Sequence, residues 1–224
     1  MNKIAIIPAA GLATRIKGIP KFLLPINEEN DKLITILLSS LSKFSTPYVI
    51  TTPANATLLY GQIQKQAKIL IGETASMSET VKLCEDLSGS RKVLFAMPDT
   101  FYVGDSEVFA KLTKAIDTDI DVAVGVWKIR PDQRGKLGQC EIDSKGNISK
   151  VVDKDISCYY PWAWGVLAWK KIFWPFICPE TSHIGYALNP AIKAGLKVKA
   201  VFMKGSYFDC GTASEYISLV SGKI

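Results

Sequence analysis

The chain has 224 residues, 48% of them hydrophobic and 21% charged, which is an ordinary globular composition and enough for a substantial core. Its 27 Lys and Arg exceed its 21 Asp and Glu, giving a formal net charge of +6, but the basic residues are scattered singly or in pairs. This pattern excludes a basic nucleic-acid-binding tail, and the apolar runs are too short to span a bilayer, so we expect neither nucleic acid nor a membrane as a partner.

Apolar, β-rich runs alternate with helix-patterned stretches through the first half of the chain. The predicted strands are 3–8, 47–52, 68–71, 92–97 and 120–127, and the predicted helices are 33–44, 55–66, 74–88 and 105–117. This alternation is typical of an α/β protein, and we predict a mixed, mainly parallel, Rossmann-like sheet flanked by helices. Ligands of such sheets bind beyond the carboxyl ends of the strands, where Gly11 and Asp99 fall.

The segment after the first predicted strand reads Ala9-Ala10-Gly11-Leu12-Ala13-Thr14-Arg15 and is followed by Pro20-Lys21. Gly11 allows the backbone to approach a ligand closely, and successive unpaired N–H groups after a strand form an anion nest. Arg15 and Lys21 add positive charge, so the segment suits a polyanion such as a nucleoside triphosphate. It matches neither G-x-x-x-x-G-K-[ST] nor G-x-G-x-x-G, which disfavours a Walker ATPase and a Rossmann dehydrogenase. The alternative is an ordinary turn with solvated basic residues.

The second half of the chain has a different pattern. Segments Leu137–Asp143 and Asn147–Val152 flank Ser144-Lys145-Gly146 and are predicted to form a hairpin, and the aromatic segment Tyr159–Leu167 adds a further strand. Helices are predicted over 169–176, 184–195 and 212–221, with a strand over 197–203. The sequence contains neither an internal repeat nor a flexible linker, so we predict a single domain, 1–224, with a small β-rich, substrate-facing subdomain that continues the sheet.

The five cysteines are widely spaced, with no C-x-x-C pair, and there is a single histidine. This composition implies neither a zinc site nor a disulfide framework. Without a G-x-S-x-G elbow, His183 also gives little support to Ser-His-Asp chemistry, and we interpret it as structural or as a substrate contact. Since the chain leads straight into a strand rather than a signal peptide, we expect a cytoplasmic protein with reduced thiols.

A series of short motifs runs through nearly the whole chain. In order they are Ala9 to Arg15, Pro20-Lys21, Pro98-Asp99, Asp153-Lys154, Trp164-Gly165 and Phe208-Asp209-Cys210-Gly211-Thr212. The series resembles that of the nucleotidyltransferase family that includes the sugar-1-phosphate nucleotidylyltransferases, or NDP-sugar pyrophosphorylases. The resemblance implies a GT-A-like nucleotidyltransferase fold and a Mg²⁺-dependent enzyme that joins an NTP to a phosphorylated small molecule and releases pyrophosphate.

The resemblance also implies a role for each matching position. The NTP-binding residues would lie in the first half, 1–127, and are Ala9, Ala10, Gly11, Leu12, Ala13, Thr14, Arg15, Lys21, Gly72, Thr74 and Ser76. Asp99 and Asp209 would hold Mg²⁺ and, with Arg15 and Lys21, form the catalytic set. Considered without the resemblance, Asp99 is as well explained as a helix cap or loop residue as it is as a metal ligand. The same holds for Asp209 as a turn residue before a helix.

The acceptor would lie in the second half, 128–224, against Gly138, Asp153 and Lys154. Aromatic residues crowd the segment from Tyr159 to Trp174, and they form either core and cavity wall or a cage for a cationic acceptor such as phosphocholine. Within this cluster, Tyr160 and Trp164 are our candidates for acceptor contacts. A sugar phosphate is the expected acceptor, with phosphocholine or another phosphorylated alcohol left open.

Three positions depart from the family's pattern. Ala13 replaces the second glycine of the loop, Asp153-Lys154-Asp155 stands where the family reads Glu-Lys-Pro, and the tryptophan before the last aspartate is missing. The base and the acceptor therefore stay open, as does assembly into a homo-oligomer. One alternative is a nucleotide-sugar-dependent glycosyltransferase, although Asp99-Thr100-Phe101 lacks the expected Asp-x-Asp. Another is a nucleotide-binding regulatory protein without catalysis.

Overall fold

The computed structural model describes residues 2–11 and 20–222. Its strands are, in chain order, β1 (Lys3–Ala9), β2 (Thr46–Thr51), β3 (Lys68–Ile71), β4 (Lys92–Ala96), β5 (Thr100–Val103), β6 (Val122–Lys128), β7 (Gly138–Ile142), β8 (Ile148–Asp153), β9 (Trp162–Trp169), β10 (Val198–Phe202) and β11 (Ser206–Asp209). Its α-helices are α1 (Leu33–Leu41), α2 (Pro53–Ile63), α3 (Met77–Lys82), α4 (Glu85–Ser88), α5 (Val108–Ile116), α6 (Leu188–Lys193) and α7 (Ala213–Val220). Short 3-10 helices lie at Lys21–Leu23, Pro131–Gln133, Lys171–Phe176 and Ile184–Ala187.

The main sheet follows the order β10-β6-β9-β4-β1-β2-β3. Neighbours along this path are parallel except at β9, which runs antiparallel between β4 and β6. Strands β7 and β8 form the predicted hairpin and join the sheet through β9. The mixed, mainly parallel sheet confirms the predicted α/β class, and β9 corresponds to the strand predicted over 159–167. Across residues 2–11 and 20–222, we find no helix with both the length and the apolar character needed to cross a bilayer.

Apolar cores cover both faces of the sheet. In β1, Ala5 and Ile7 join the core on one face, while Ile4 and Ile6 join the core on the other. Successive side chains of a strand point to opposite faces, so a sheet covered on both sides needs the continuously apolar strands seen in the sequence. Helix α5 covers the first of these faces with an apolar stripe at helical spacing, formed by Val108, Phe109, Leu112 and Ile116.

Three of the predicted helices differ from the observed elements. The helix predicted over 169–176 is wrong, because the chain forms a 3-10 helix with Pro175 inside it. Proline has no backbone N–H to donate and its ring clashes with the preceding turn, which disfavours a regular α-helix there. The helix predicted over 74–88 is divided into α3 and α4, and the one predicted over 184–195 begins as a 3-10 helix and continues as α6.

A two-stranded antiparallel ribbon, formed by β5 and β11, was not predicted. Thr100 lies opposite Asp209 at one end of the ribbon, and Val103 lies opposite Ser206 at the other. Beyond the second end, Gly104 and Gly205 both adopt positive φ, and a Cβ on Gly104 would lie 3.2 Å from the Cα of Gly205. The ribbon joins the segment that follows β4 to the segment that precedes α7.

Candidate active site

The predicted phosphate-binding loop and the first aspartate motif lie at one edge of the main sheet. β1 ends at Ala9 and the parallel neighbour β4 ends at Ala96, so the segments that follow them leave the sheet side by side. β9 is antiparallel to both β4 and β6, and its early residue Trp164 pairs with Val126 near the end of β6. The same edge therefore collects residues from β1, β4 and β9, as expected for the ligand-binding edge of such a sheet.

The larger of two neighbouring cavities at this edge has a volume of about 420 Å³. Seven predicted NTP-site or catalytic residues line it, namely Ala9, Ala10, Gly11, Lys21, Thr74, Ser76 and Asp99. Gly72 does not line it; its N–H donates to the carbonyl of Thr51, next to β3. The remaining predicted residues of the loop lie outside the described part of the chain: Leu12, Ala13, Thr14 and Arg15.

Side chains from β2 and α2 hold the beginning of the loop. The hydroxyl of Thr51 donates to the carbonyl of Ala9 at 3.0 Å, and the amide of Asn55 donates to the carbonyls of Ala9 and Gly11 at 3.3 and 3.4 Å. Asn55 sits in the first turn of α2, where its N–H is capped by Thr52. Thr52-Pro53 is a sequence signal for the start of a helix at this position. The local sequence gives no sign, however, that Asn55 in this helix would contact the loop.

Part of the larger cavity's wall comes from the N-terminus of α3. Ser76 caps this helix by accepting from the N–H of Glu79 at 3.0 Å, and its hydroxyl donates to the carbonyl of Pro179 at 2.6 Å. The hydroxyls of Thr74 and Thr80 share a hydrogen bond of 2.6 Å. These groups are already engaged within the protein, so they shape the cavity more than they offer free polar groups to a ligand.

The two predicted metal-binding aspartates are brought together by the ribbon. Asp209 ends β11 opposite Thr100, and the N–H of Cys210 donates to the carbonyl of Asp99 at 2.9 Å. Burial and the neighbouring Asp209 carboxylate raise the pKa of Asp99 above its usual range. Lys21 acts in the opposite direction, with its Nζ 3.7 Å from Oδ2 of Asp99. The Asp99 carboxylate thus lies between two opposing influences, the negative charge of Asp209 and the ammonium group of Lys21.

The chemistry of this pair fits Mg²⁺. Two carboxylates that repel one another are stabilised by a cation, and Mg²⁺ commonly takes one or two carboxylates together with phosphate oxygens and water. Burial and the nearby Asp99 carboxylate raise the pKa of the adjacent Cys210 thiol to about 12, so this thiol is uncharged at neutral pH. Within the described ranges, no cluster of three or more His, Cys, Asp or Glu forms a self-sufficient metal site.

The smaller cavity, of about 230 Å³, adjoins the carboxylate pair. It is lined by the predicted acceptor residues Gly138, Asp153, Lys154 and Trp164, together with Asp209. Tyr160, also predicted to contact the acceptor, lines neither this cavity nor the larger one. His183, which the sequence left as structural or a substrate contact, also lines this cavity, and the lining residues that had not been predicted are Met77, Met97, Lys136, Leu137, Ser182 and Tyr207.

Glycine is required where the wall of the smaller cavity is tightest. A Cβ on Gly138 would lie 2.1 Å from Nε1 of Trp164, and a Cβ on Gly185 would lie 2.6 Å from Cζ2 of the same indole. The indole is 6% exposed and packs between these backbone segments. Trp164 therefore forms a fixed wall, and its position explains why Gly138 begins β7.

Asp153 and His183 meet in the smaller cavity. Nε2 of His183 lies 2.9 Å from Oδ2 of Asp153, and the two side chains are 14% and 15% exposed. Burial opposes ionisation of Asp153, but His183 and Lys154 more than offset it and hold the pKa of this carboxyl below its usual range. Sequence reasoning found Asp153 by its motif and left His183 without a partner, because thirty residues separate the two positions.

The two cavities share a wall made by Met77 and Ser182. The N–H of Met77 donates to the carbonyl of Ser182 at 3.2 Å, and the hydroxyls of Ser78 and Thr181 share a hydrogen bond of 2.9 Å. These bonds join α3 to the segment 178–183, which connects two of the 3-10 helices. The two cavities are therefore neighbouring compartments, with Asp99 lining the larger and Asp209 lining the smaller.

The fold is that of the sugar-1-phosphate nucleotidylyltransferases. A protein assigned as a glucose-1-phosphate thymidylyltransferase from Bacillus anthracis, solved with sucrose, superposes with a TM-score of 0.82 at 17% identity, over 98% of this chain and 94% of its own. A UDP-glucose pyrophosphorylase in complex with UDP-glucose gives 0.80 at 18% identity, over 100% and 98%, and an apo UDP-glucose pyrophosphorylase gives 0.79 at 18% over the same shares. No protein-family model and no curated protein sequence matches the chain. The resemblance carried by the motifs is thus confirmed at the level of the fold.

Proposed function

We propose that this protein is a Mg²⁺-dependent nucleotidyltransferase that couples an NTP to a phosphorylated small molecule and releases pyrophosphate. The observation that carries the proposal is the position of Asp99 and Asp209, which line adjacent cavities and are joined by the Cys210 to Asp99 hydrogen bond. A reaction between two phosphorylated substrates needs one pocket for each and a charged centre between them. The likeness in fold to nucleotidylyltransferases supports the same reaction class.

In this proposal, the NTP occupies the larger cavity in the first half of the chain, 1–127. A volume of about 420 Å³ lies within the roughly 300–1,000 Å³ of ordinary ligand pockets. Gly11 lines this cavity, and Lys21 supplies a cation 3.7 Å from Asp99. Leu12, Ala13, Thr14 and Arg15 continue the loop in sequence, and we assign them to the triphosphate on their motif alone.

The acceptor occupies the smaller cavity in the second half, 128–224. Lys136 and Lys154 provide positive charge for its phosphate, and Asp153 provides a hydrogen-bond acceptor. A cage for a quaternary ammonium group presents open aromatic faces, whereas Trp164 and Tyr207 are 6% and 3% exposed. This packing favours a hydroxylated acceptor such as a sugar phosphate over phosphocholine.

The proposed chemistry is an in-line displacement. An acceptor phosphate oxygen forms a bond to the α-phosphorus of the NTP while the bond from that phosphorus to the bridging oxygen of pyrophosphate breaks. The acceptor phosphate is already ionised, so no general base is needed, in keeping with a chain that has one histidine. When bound, Mg²⁺ supplies charge neutralisation on the phosphate oxygens. Lys21 holds positive charge beside Asp99, and the walls of the two cavities orient the substrates.

The enzyme would act on small-molecule substrates of the cytoplasm, without nucleic acid or membrane as a partner. The scattered distribution of its basic residues supports this part of the proposal. A homo-oligomer stays compatible with it, and gel filtration with light scattering measures that property directly.

A pyrophosphate-release screen tests the proposal. The four NTPs are paired with sugar 1-phosphates, phosphocholine and other phosphorylated alcohols, with and without Mg²⁺. We expect turnover with one preferred NTP and a hydroxylated phosphate, and none without a divalent cation. Absence of turnover with every pair would overturn the proposal in favour of the regulatory alternative. Transfer of a sugar from a nucleotide sugar, without pyrophosphate release, would favour the glycosyltransferase.

A further inference from the structure

We propose that His183, the single histidine of the chain, is a positioning residue of the acceptor site that holds the carboxylate of Asp153 in place. The inference rests on the proposed function in one respect, since it takes the smaller cavity as the acceptor's place. It adds a residue that none of the sequence motifs includes. Of the two residues, Asp153 contacts the acceptor, and His183 acts through Asp153.

The hydrogen bonding of the imidazole defines its tautomer. The N–H of Gly185 donates to Nδ1 of His183 at 3.1 Å, so Nδ1 is an acceptor and the ring proton belongs on Nε2. Nε2 is the atom that lies 2.9 Å from Oδ2 of Asp153. Nε2 is buried and makes no hydrogen bond within the described residues, so its attraction to the Asp153 carboxylate is electrostatic.

Packing fixes the ring in this orientation. The imidazole stacks on Tyr186 with the ring centroids 4.3 Å apart and the planes at 26°. The backbone of Gly185 also lies close to the ring, since a Cβ on Gly185 would lie 2.9 Å from Nδ1 of His183 and 2.6 Å from the Trp164 indole. The stack with Tyr186 and the hydrogen bond to Nδ1 together restrain rotation of the ring away from Asp153.

The consequence for the acceptor follows from charge. His183 and Lys154 keep Asp153 ionised, so its carboxylate is an acceptor-only group at the cavity wall. A carboxylate repels a phosphate and accepts hydrogen bonds from hydroxyls. The hydroxyl-bearing part of the acceptor therefore belongs beside Asp153. A mobile carboxylate would lose this orientation and with it part of the acceptor's affinity.

Steady-state kinetics with variants test the positioning role. We expect His183→Ala to raise the KM for the acceptor roughly tenfold, with the KM for the NTP and the kcat nearly unchanged. His183→Gln, whose amide N–H can still reach Asp153, should recover part of the loss. Glu180→Gln is the matched control, because Glu180 lies on the same connecting segment, is exposed and contacts Cys178. Equal effects on the KM of both substrates would overturn the inference.

A double-mutant cycle separates positioning from direct contact. If His183 acts only through Asp153, the double variant Asp153→Asn, His183→Ala binds the acceptor no more weakly than Asp153→Asn alone. Additive losses would mean that His183 has its own contact with the acceptor, and would overturn the positioning role.

Nuclear magnetic resonance provides a readout that does not depend on turnover. Because the chain has one histidine, its imidazole ¹⁵N signals need no assignment by mutation. We expect the Nε2–H tautomer in the wild type, a shift of these signals in Asp153→Asn, and a further shift of the wild-type signals on addition of glucose 1-phosphate without NTP. Histidine signals unchanged in Asp153→Asn would overturn the inference. An enzyme that shows the expected shifts but releases no pyrophosphate would instead overturn the proposed function.

Discussion

The backbone N–H of Cys210 donates to the carbonyl of Asp99 over 2.9 Å, and this single bond joins the two turns that carry the carboxylates. It extends the ribbon pairing by which Thr100 faces Asp209. Because the turns are locked together through backbone, the separation of the carboxylates does not depend on their own side-chain contacts. Substitution of either side chain is therefore expected to change chemistry more than structure.

Asp209→Asn is expected to reduce kcat by on the order of a hundredfold or more, because an amide is a weak ligand for Mg²⁺. The fold should persist, since Oδ1 of residue 209 accepts from the N–H of Gly211 at 2.9 Å and an asparagine can accept there too. Pyrophosphate release and thermal unfolding measure the two effects. Asp86→Asn, an exposed substitution on α4, is the control. Full activity in Asp209→Asn would remove Asp209 from the site.

Lys21→Met is expected to lower turnover by roughly 10²–10³-fold, because it removes a fixed cation beside the reacting phosphates while keeping the apolar stem. Lys21 is 17% exposed and lies 3.7 Å from Asp99. Lys197→Met is the control, since Lys197 forms an exposed surface pair with Asp119. The turnover of both variants is measured by steady-state kinetics at saturating Mg²⁺. Equal activity of the two variants would argue against a role for Lys21.

Gly138→Ala is expected to destabilise the protein by about 1–3 kcal/mol and to raise the KM for the acceptor, because overpacking forces neighbours to move. The added Cβ would lie 2.1 Å from Nε1 of Trp164, which must shift into the smaller cavity. Gly61→Ala is a matched control on α2, where an added Cβ meets nothing within 4 Å. It should instead stabilise by roughly 0.5–1 kcal/mol. Urea unfolding distinguishes the two outcomes.

Asp105→Asn is expected to lower the free energy of unfolding at neutral pH, and to lower it less at acidic pH. Asp105 is 3% exposed, contacts Lys111 and accepts from the N–H of Lys204 at 2.8 Å, which secures the far end of the ribbon. Burial opposes its ionisation, but hydrogen bonds from Lys111, Lys204 and Glu107 outweigh burial and lower its pKa.

The sign of this pH dependence follows from linkage. A carboxyl with a lowered folded-state pKa contributes stability above its unfolded pKa of about 3.9, and that stability is lost as the pH falls through the folded value. The difference in unfolding free energy between wild type and Asp105→Asn should thus be roughly 1–3 kcal/mol near neutral pH and should shrink below about pH 4. Urea unfolding across this range is the measurement, with Asp119→Asn as an exposed control. A constant difference at all pH values would contradict the prediction.

Local patterning predicted the elements of the main sheet but not the ribbon. Strand 92–97 was visible as a continuous apolar run, and β4 spans Lys92–Ala96. β5 and β11 have four residues each and pair across about half the chain. Strands this short are too brief to show a recognisable alternation of apolar and polar residues. The 3-10 helix containing Pro175 shows the converse, because apolar spacing suggested a helix and proline changed its type.

Motifs located the charged residues of the candidate site more readily than its packing. Gly11, Lys21 and Asp99 line one cavity as their motifs implied, and Asp153 lines the other. Tyr160 was chosen because aromatics crowd its segment, yet composition does not give the direction in which a side chain points. Asn55 and the partner of His183 were missed because each contact joins residues distant in sequence.

The wall shared by the two cavities has a consequence for how substrates meet the protein. Any molecule in either compartment packs against the same link, in which the N–H of Met77 donates to the carbonyl of Ser182. By thermodynamic reciprocity, whatever the first ligand does to the affinity for the second, the second does to the affinity for the first. We therefore expect the two binding events to be coupled through this junction between α3 and segment 178–183, and the coupling to show as a cooperative free energy when each ligand is titrated in the presence of the other.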